Sequence, residues 1–468
     1  MKKLTILTLL FSAILFANTS ITSNAVVKIF STISFPDYKY PWQTSKISKF
    51  TGSGAVISDN RILTSAHVVS NAKFIEVKKE NDPRKYIATV KYISHQADLA
   101  ILELADQSFF TGVTSLKLND NIEIRDEVTV LGYPLGGDNI STTTGVVSRI
   151  EYVRYIWSRE YLLAIQIDAA INSGNSGGPV IDHNNKLIGI AMMTLSNSSN
   201  IGYIVPTTII KTFLQDVEDG VVDGFHVGST VVQGINNNSQ KELYGMNDRT
   251  GVLITYVGID EDILKVDDIV LAIDDKNISN NGTIKTQYGH INLKIALHKK
   301  QIGQSVKLRI LRAKKEMLFE YTLKKVIPLI HEEFGKEPRY IVYGGFTFSP
   351  LTRNYLTELS TGRNMFNMLF YEKNKTKAYQ EAVVSLETVF PSKANRGYSI
   401  ASYVLVKVNG IKIKNFQQLV KILDNMKDEF TVFEFLEKTK VVMNTKEAKN
   451  DLERVMEIYN LKSDRRVE

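Results

Sequence analysis

Short apolar runs separated by polar turns fill residues 52–206, and they constrain the fold more than any other feature of the sequence. Four of these runs cover residues 54–58, 100–104, 128–132 and 187–191. Strands this short, repeated at modest intervals with few long helical patterns between them, are typical of an all-β barrel or sandwich. A helix is predicted next, over residues 208–219, because apolar residues recur on one face and Gly220 follows it.

A weak internal repeat follows residue 220, and each copy reads as strand, turn, helix, strand, strand. The leading strand and the helix lie at 269–273 and 291–298 in the first copy, and at 404–408 and 416–426 in the second. Two copies of one supersecondary unit predict two related small domains. The charged last residues, 463–468, are expected to fray into solvent.

The first 25 residues have the pattern of a cleavable secretory signal. Lys2 and Lys3 precede a mostly apolar stretch over residues 4–17, and the small residues Ser23 and Ala25 mark a cleavage site after Ala25. The apolar stretch is shorter than the roughly 20 residues that a helix needs to cross a bilayer. We therefore expect export to a bacterial periplasm, or secretion; the alternative is an uncleaved membrane anchor.

Composition excludes several classes of protein. The chain contains no cysteine, which rules out disulfide scaffolds, zinc–thiolate sites, iron–sulfur proteins and thiol nucleophiles. A net charge of +7 spread over 468 residues is too weak to argue for nucleic-acid binding. A nucleophile, if there is one, must be sought among the hydroxyl groups.

The strongest local motif is Gly174-Asn175-Ser176-Gly177-Gly178. A serine hydroxyl becomes a good nucleophile only when a base accepts its proton, and attack on a carbonyl creates an oxyanion that backbone amides can stabilise. Flanking glycines permit the tight loop that this needs, with Gly174 and Ser176 supplying the two amides. The alternative interpretation is an ordinary glycine-rich turn between strands.

Two further residues favour the catalytic interpretation. Of seven histidines, only His67 lies where an apolar strand passes into a short helical turn, and Asp98 opens an apolar strand in which it can be buried against an imidazole. His95 and Asp98 have the spacing of a metal-ligand pair, but no third ligand is near, so we predict no metal site.

At this point the sequence resembles the chymotrypsin-fold serine proteases of the HtrA/Deg class, which carry C-terminal PDZ domains. The resemblance rests on His67 in Thr-Ser-Ala-His, Asp98 in Ala-Asp-Leu-Ala-Ile-Leu and Ser176 in Gly-Asn-Ser-Gly-Gly-Pro, with matching segments at 166–172 and 200–206. It is closest to the plant-type Deg architecture, whose second PDZ-like domain is degenerate.

The resemblance implies a mainly β fold with four parts. A chymotrypsin-like double β-barrel protease domain would be followed by two PDZ-like α+β domains. The expected boundaries are 1–25 for the signal peptide, 26–219 for the trypsin-like domain, 220–327 for the first PDZ domain and 328–468 for the degenerate second one.

It also implies an activity. Ser176 would attack, His67 would take and return the proton, and Asp98 would orient the imidazole, without cofactor or metal. The expected function is ATP-independent degradation of unfolded or damaged proteins in protein quality control. The alternative is a peptide-binding or chaperone-like holdase that uses the PDZ domains with little turnover.

The primary specificity pocket can be read partly from spacing. In chymotrypsin-fold proteases the residue six before the nucleophile lies at the pocket base, and here it is Ala170. Met193, Ile201 and Tyr203 would line the walls. Because alanine cannot pair with Lys or Arg, cleavage is expected after small or medium aliphatic residues.

The appended domains predict binding of peptide C-termini, which PDZ domains hold with loop amides. The candidate loop is Phe225-His226-Val227-Gly228, and residues 344–348 have a similar character in the second repeat; each is alternatively a strand entered through glycine. The aromatic arm, residues 35–42, would contact other subunits of a homo-oligomer, a trimer or a multiple of trimers, or else pack on its own barrel.

Overall fold

A computed structural model describes residues 24–43, 46–194, 201–228, 230–258, 261–325, 329–359, 380–398 and 400–468. The chain forms two compact units, one of residues up to Ile33 with Ser48–Val326, the other of Ser34–Ile47 with Ile327–Glu468. Most elements are strands, so the prediction of a mainly β fold is confirmed. Within the described residues, no helix combines the length and apolar character needed to cross a membrane. Most of the predicted signal segment, residues 1–23, lies outside the described residues.

The first unit begins with a closed six-stranded barrel in the order β1-β2-β3-β6-β5-β4. Its core contains mainly branched aliphatic side chains, which fill the interior as a small barrel requires. One helical turn, α1 (Ala66–Val69), follows β3. The strands are β1 (Val26–Ser34), β2 (Ile47–Ile57), β3 (Arg61–Thr64), β4 (Ala72–Lys79), β5 (Tyr86–Ser94) and β6 (Leu99–Leu104).

A 3₁₀ turn, Gln107–Phe110, leads to a second closed barrel in the order β10-β11-β12-β9-β8-β7. The helix α2 (Thr207–Asp216) follows it and buries the apolar face that its sequence pattern predicts. Two consecutive six-stranded barrels are the chymotrypsin-like arrangement expected from the sequence. The strands are β7 (Glu127–Gly132), β8 (Ser141–Arg154), β9 (Tyr161–Ile167), β10 (Pro179–Ile181), β11 (Leu187–Thr194) and β12 (Gly202–Pro206).

The rest of the first unit is an α+β module, which we call the β13–β20 module. Its main sheet has the order β13-β14-β15-β19-β20, with β16 beside β15, and β17 and β18 form a separate hairpin. The helices are α3 (Asn238–Tyr244) and α4 (Ile295–His298). The strands are β13 (Val231–Gly234), β14 (Val252–Tyr256), β15 (Ile269–Ile273), β16 (Lys276–Asn277), β17 (Thr283–Thr286), β18 (Gly289–Asn292), β19 (Ser305–Arg312) and β20 (Lys315–Thr322).

The second unit is built on one sheet in the order β27-β26-β24-β23-β22-β21-β28, with β25 beside β24. The residues that were expected to fray include β28, which pairs with β21, so that expectation is wrong. A 3₁₀ turn spans Leu436–Lys438, and the helices are α5 (Arg353–Glu358), α6 (Phe416–Asp424), α7 (Thr445–Asn450) and α8 (Leu452–Ile458). The strands are β21 (Tyr340–Tyr343), β22 (Phe346–Pro350), β23 (Val383–Val389), β24 (Val404–Val408), β25 (Ile411–Lys412), β26 (Phe430–Phe435), β27 (Lys440–Asn444) and β28 (Arg465–Arg466).

The aromatic arm belongs to this second unit. Tyr38 is buried in one of its apolar clusters, and the Trp42 ring lies 4.9 Å from the Phe390 ring and 6.2 Å from the Tyr340 ring, centroid to centroid. The Lys39 ammonium pairs with a carboxylate on β23 at 2.6 Å. Tyr38 and Trp42 therefore pack within the second unit, which neither sequence-based interpretation anticipated, and the contact with other subunits stays a prediction.

Candidate active site

His67 and Asp98 meet where the first barrel ends its third strand and begins its sixth. His67 lies on α1, directly after β3, and Asp98 occupies the turn before β6. His67 Nδ1 lies 2.8 Å from Asp98 Oδ2 and 3.0 Å from Oδ1, and the His67 amide donates to Oδ1 at 2.9 Å. Asp98 is 1% exposed. A buried carboxylate that accepts from both the ring and the backbone of one histidine fixes the orientation of its imidazole.

Ser176 lies in the loop between β9 and β10, against the segment that carries His67. Its carbonyl accepts from the Ser53 amide at 2.9 Å. A Cβ on the next residue, Gly177, would lie 2.2 Å from Thr64 Oγ1 and 3.0 Å from the Ser65 amide nitrogen, so only glycine lets the loop approach this closely. Within the described part of the chain, no hydrogen bond joins the Ser176 hydroxyl to His67.

The same loop leaves two amides unused. As far as the described residues extend, the amides of Gly174 and Ser176 donate to no group. Gly174 has φ of +99°, and a Cβ there would lie 2.4 Å from the Tyr133 carbonyl. The loop is anchored by Ser53 Oγ, which donates to the Gly174 carbonyl and accepts from the Tyr133 amide, both at 2.8 Å. Such a fixed pair of free amides can bind a negatively charged oxygen.

Asn175 is the least favourably placed residue of this loop. Its side chain is fully buried, and neither Oδ1 nor Nδ2 has a hydrogen-bond partner among the described residues. Each such atom costs about 1–3 kcal/mol relative to a satisfied one. The loop thus contains an energetic penalty directly beside Ser176.

An aromatic residue that sequence reasoning missed covers His67. The Trp157 ring, in the hairpin between β8 and β9, stacks on the imidazole with 4.6 Å between centroids and a 13° interplanar angle, while the residue stays 52% exposed. Burial, with a contribution from the negative charge of Asp98, raises the pKa of Tyr155 in the same hairpin well above its usual range. The available signal was that Trp157 is one of only two tryptophans, set in a polar segment.

The predicted pocket residues surround the start of β12. Ala170 is half-buried, with its carbonyl accepting from Thr143 Oγ1 at 2.8 Å. Ile201 is half-buried against the barrel core. Tyr203 is buried and donates to Glu151 Oε1 at 3.0 Å.

Met193 and Gly202 lie next to these residues in the predicted pocket wall. The Met193 backbone pairs with Tyr203, and its side chain lies outside the described residues. Gly202 lies between the predicted wall residues Ile201 and Tyr203, and a Cβ on it would lie 2.7 Å from Ile171 Cδ1, so this wall has no room for a side chain.

The predicted peptide-binding loop is only partly open. Phe225 and His226 are buried, and the Phe225 amide already donates to Gln96 Oε1 at 2.7 Å, so it is not free for a carboxylate and this part of the prediction needs correction. Burial lowers the pKa of His226. In the described part of this module, the amides of His226, Val227 and Gly228 donate to nothing. The loop leads into β13, an edge strand of its sheet.

The corresponding segment of the second unit is closed. A Cβ on Gly345 would lie 2.1 Å from the Phe390 carbonyl, and β22, which follows, pairs with β21 on one side and β23 on the other. Peptide addition to a sheet needs a strand with a free edge. Residues 344–348 therefore do not form a groove of that kind.

Comparisons with known proteins agree with this architecture. Residues 52–190 match the trypsin-like peptidase domain family, and residues 329–467 match the PDZ domain family. The chain is 38% identical over 449 residues to the Arabidopsis thaliana putative protease Do-like 3, mitochondrial, covering 94% of this chain and 79% of the relative. It is 34% identical over 453 residues to protease Do-like 2, chloroplastic, of the same plant, covering 94% and 74%.

The fold also matches a solved structure described as HtrA-type protease AlgW with decapeptide. The TM-score is 0.51 at 24% identity, over 66% of this chain and 98% of that one. This likeness supports the fold, and the plant relatives cover enough of both chains to support the family. The His67–Asp98 pair beside the glycine-rich loop of Ser176 agrees with both the fold and the family. The chain is therefore a serine endopeptidase and belongs to the Do-like proteases of the HtrA/Deg family.

Proposed function

We propose that this endopeptidase degrades unfolded or damaged proteins without ATP, with Ser176 as nucleophile, His67 as general base and Asp98 as its orienting carboxylate. The observation that carries this proposal is the buried His67–Asp98 pair lying against a serine loop with two unused amides. In the proposed reaction His67 Nε2 accepts the Ser176 proton as Oγ attacks the carbonyl, and later returns it to the leaving amine. The amides of Gly174 and Ser176 stabilise the oxyanion.

The surroundings of the site suit an extended, apolar polypeptide. Leu135, whose amide donates to the Ser173 carbonyl at 2.8 Å, is exposed, as are Trp157 beside His67 and Ile156, which precedes Trp157 in the chain. Apolar side chains that a folded protein normally buries become available to such a surface only when the substrate is unfolded. This supports unfolded chains as the substrate class.

Primary specificity for small or medium aliphatic residues is part of the proposal. Ala170 offers no charge at the pocket base, and the absence of a side chain on Gly202 leaves the wall apolar through Ile171. A peptide library should therefore show cleavage after residues such as alanine, valine or leucine. Preferred cleavage after Lys or Arg would contradict it.

Peptide C-termini are proposed to bind the β13–β20 module rather than the second unit. The unused amides of residues 226–228 precede β13, whose Val231 and Val232 side chains are exposed. Peptides ending in a free carboxylate should bind, and the same peptides with an amidated C-terminus should bind at least about tenfold more weakly, since a charge-assisted contact is lost. Equal affinity for the free and the amidated peptides would contradict the proposal that this module binds peptide C-termini.

The decisive experiment compares the full chain with its Ser176→Ala variant on unfolded casein. We expect degradation by the wild type and none by the variant, with no effect of added ATP. If the two degrade casein equally, the catalytic assignment fails.

A holdase is the second candidate, and specific observations favour it. Ser176 and His67 are not hydrogen-bonded, Trp157 covers the imidazole, and Asn175 is unsatisfied. A fluorophosphonate probe separates the candidates, because it labels only an activated serine. Labelling of Ser176 favours the protease, whereas suppression of aggregation without labelling favours the holdase.

We further propose that the N-terminal segment is a targeting signal and that the protein assembles as a trimer or a multiple of trimers. Ala25 is buried and its carbonyl accepts from the Val56 amide at 2.7 Å, which supports a cut before Ala25 rather than after it. The named plant relatives are mitochondrial and chloroplastic, so a periplasmic location has no support from them. N-terminal sequencing, fractionation and light scattering of the processed protein test the cut, the compartment and the assembly.

A further inference from the structure

One side chain ties the turn that presents Asp98 to the loop that opens the β13–β20 module. Gln96 Oε1 accepts from the Phe225 amide at 2.7 Å, and Gln96 Nε2 donates to the Phe225 carbonyl at 3.0 Å. A primary amide has both a donor and an acceptor, so it can pair with the backbone of one residue as a neighbouring strand would. Gln96 is two residues before Asp98 in the chain.

The loop side of this contact is firmly held. The carboxylate of Asp216, at the end of α2, accepts from the Gly224 amide at 2.9 Å and from the Asp223 amide at 3.2 Å. Gly224 has φ of +79°, and a Cβ on it would lie 2.7 Å from Gln96 Oε1. Glycine is thus needed here for its backbone conformation and for the space that Gln96 occupies. Phe225 itself is buried.

Apart from the bonds that Asp98 makes to His67, the turn on the Asp98 side contains two long amide contacts. Within the turn, the Asp98 amide lies 3.3 Å from the His95 carbonyl, and the Ala97 amide lies 3.4 Å from Ser94 Oγ. Both distances are beyond the usual range for N–H···O bonds, whereas the two Gln96 bonds are within it. Asp98 also has φ of +54°, a left-handed turn conformation that few residues other than glycine, asparagine and aspartate adopt.

We propose that Gln96 is a positioning residue for Asp98. Its two hydrogen bonds to the Phe225 backbone fix the turn that directs the Asp98 carboxylate at His67. The inference rests on the proposed function of the His67–Asp98 pair. It makes hydrolysis depend on the loop that begins the β13–β20 module, through one identifiable amide.

The first test is Gln96→Met in the full chain, which keeps the shape and removes both hydrogen bonds. We expect kcat on a quenched peptide to fall about 10- to 100-fold, because a small displacement of the catalytic groups is costly, while KM stays within about twofold. The matched control is Gln107→Met. Gln107 donates to the Leu104 carbonyl at 2.6 Å and accepts from Asn60 at 3.1 Å in the same barrel, and its loss should leave kcat unchanged. An unchanged kcat for Gln96→Met would overturn the proposal.

The second test approaches from the other side of the contact. Gly224→Ala displaces Gln96 without changing any residue of the protease barrels, and should lower kcat in the same way. If Gln96→Met and Gly224→Ala act through one contact, the double variant should be no slower than the slower single variant. Additive losses, or normal kcat in Gly224→Ala with Gln96 still displaced in its structure, would overturn the proposal.

A third measurement needs no turnover and therefore separates this inference from the proposed function. In the Ser176→Ala background, the downfield proton resonance of His67 Nδ1–H reports its hydrogen bond to Asp98, and it is assigned by its loss in His67→Gln. We expect Gln96→Met to shift or broaden it and Gln107→Met to leave it in place. If the resonance is unchanged in Gln96→Met, the inference fails, even where the protein cleaves casein. If the resonance is lost, the inference is supported, even where the protein does not cleave casein.

Discussion

Trp157 shows how one side chain shapes access to the reacting groups. Its ring covers a face of the His67 imidazole, yet about half of the residue remains in contact with water. A stacked aromatic ring gains about 0.5–1.5 kcal/mol beyond the area that it buries, enough to hold the hairpin tip over the histidine. The substrate residue that lies beside His67 must therefore share space with this indole.

Removing the indole should widen that space. In Trp157→Ala, peptides with a bulky residue just before the aliphatic cleavage residue should gain several-fold in kcat/KM over peptides with glycine there, because the added side chain can replace the lost contact. Tyr161→Ala, an exposed aromatic on the same hairpin, is the control and should not change this ratio. Equal effects on both peptides in Trp157→Ala would contradict the assignment.

At the scale of elements, tight turns with positive φ fix how strands meet. Gly345 and Gly397 in the second unit have φ of +79° and +86°. A Cβ on Gly345 would collide with the Phe390 carbonyl and lie 2.4 Å from Asn395 Nδ2, whereas nothing lies within 4 Å of a Cβ on Gly397. The two glycines share a backbone requirement and differ in packing.

This pair allows the two costs to be separated. Gly397→Ala should destabilise the second unit by about 1 kcal/mol, the cost of the backbone conformation alone. Gly345→Ala should cost at least about 2 kcal/mol more, since buried backbone must move. Urea unfolding of the full chain, followed by a probe in the second unit, measures both, and equal losses would show that the Phe390 contact relaxes freely.

Local sequence patterns were enough to predict an all-β barrel or sandwich and to single out the segments of His67, Asp98 and Ser176, whereas the double barrel was implied by the resemblance to a family. Short apolar runs between polar turns predict strands, and the glycines at 174 and 177 permit a loop that approaches other backbone closely. The contacts of Gln96 with Phe225 and of Trp157 with His67 join residues far apart in the chain, and no periodicity reports them. The arm was visible as an aromatic segment, but its position depends on side chains about three hundred residues away, at 340 and 390.

At the scale of the molecule, we expect histidines shielded from water to make the first unit sensitive to acid. Burial lowers the pKa of His298 from 6.5 to about 3 and that of His95 from 6.5 to about 4, and it also lowers the pKa of His226. His298 Nε2 donates to the His226 carbonyl at 3.1 Å, and the Phe225 ring lies edge-on to the His298 ring. These residues join the barrels to the β13–β20 module.

Because the folded state binds fewer protons than the unfolded state, stability should fall as pH drops below 6.5, and continue to fall towards pH 3. Thermal unfolding measured from pH 7.5 to pH 4 should show this in the first unit. His298→Gln, which cannot take up a proton, should lose less stability over the same range than the wild type. A parallel decline of both would assign the acid sensitivity to other groups.

The placement of residues 34–47 in the second unit has a consequence for the order of synthesis. A ribosome releases Tyr38 and Trp42 long before the strands that enclose them exist, because those strands begin at residue 340. The nascent chain must keep the aromatic arm in solvent, or bound to a chaperone, while both barrels can already fold. For the same reason, a fragment that ends after the β13–β20 module would expose this loop permanently, so the isolated protease part should aggregate more readily than the full chain.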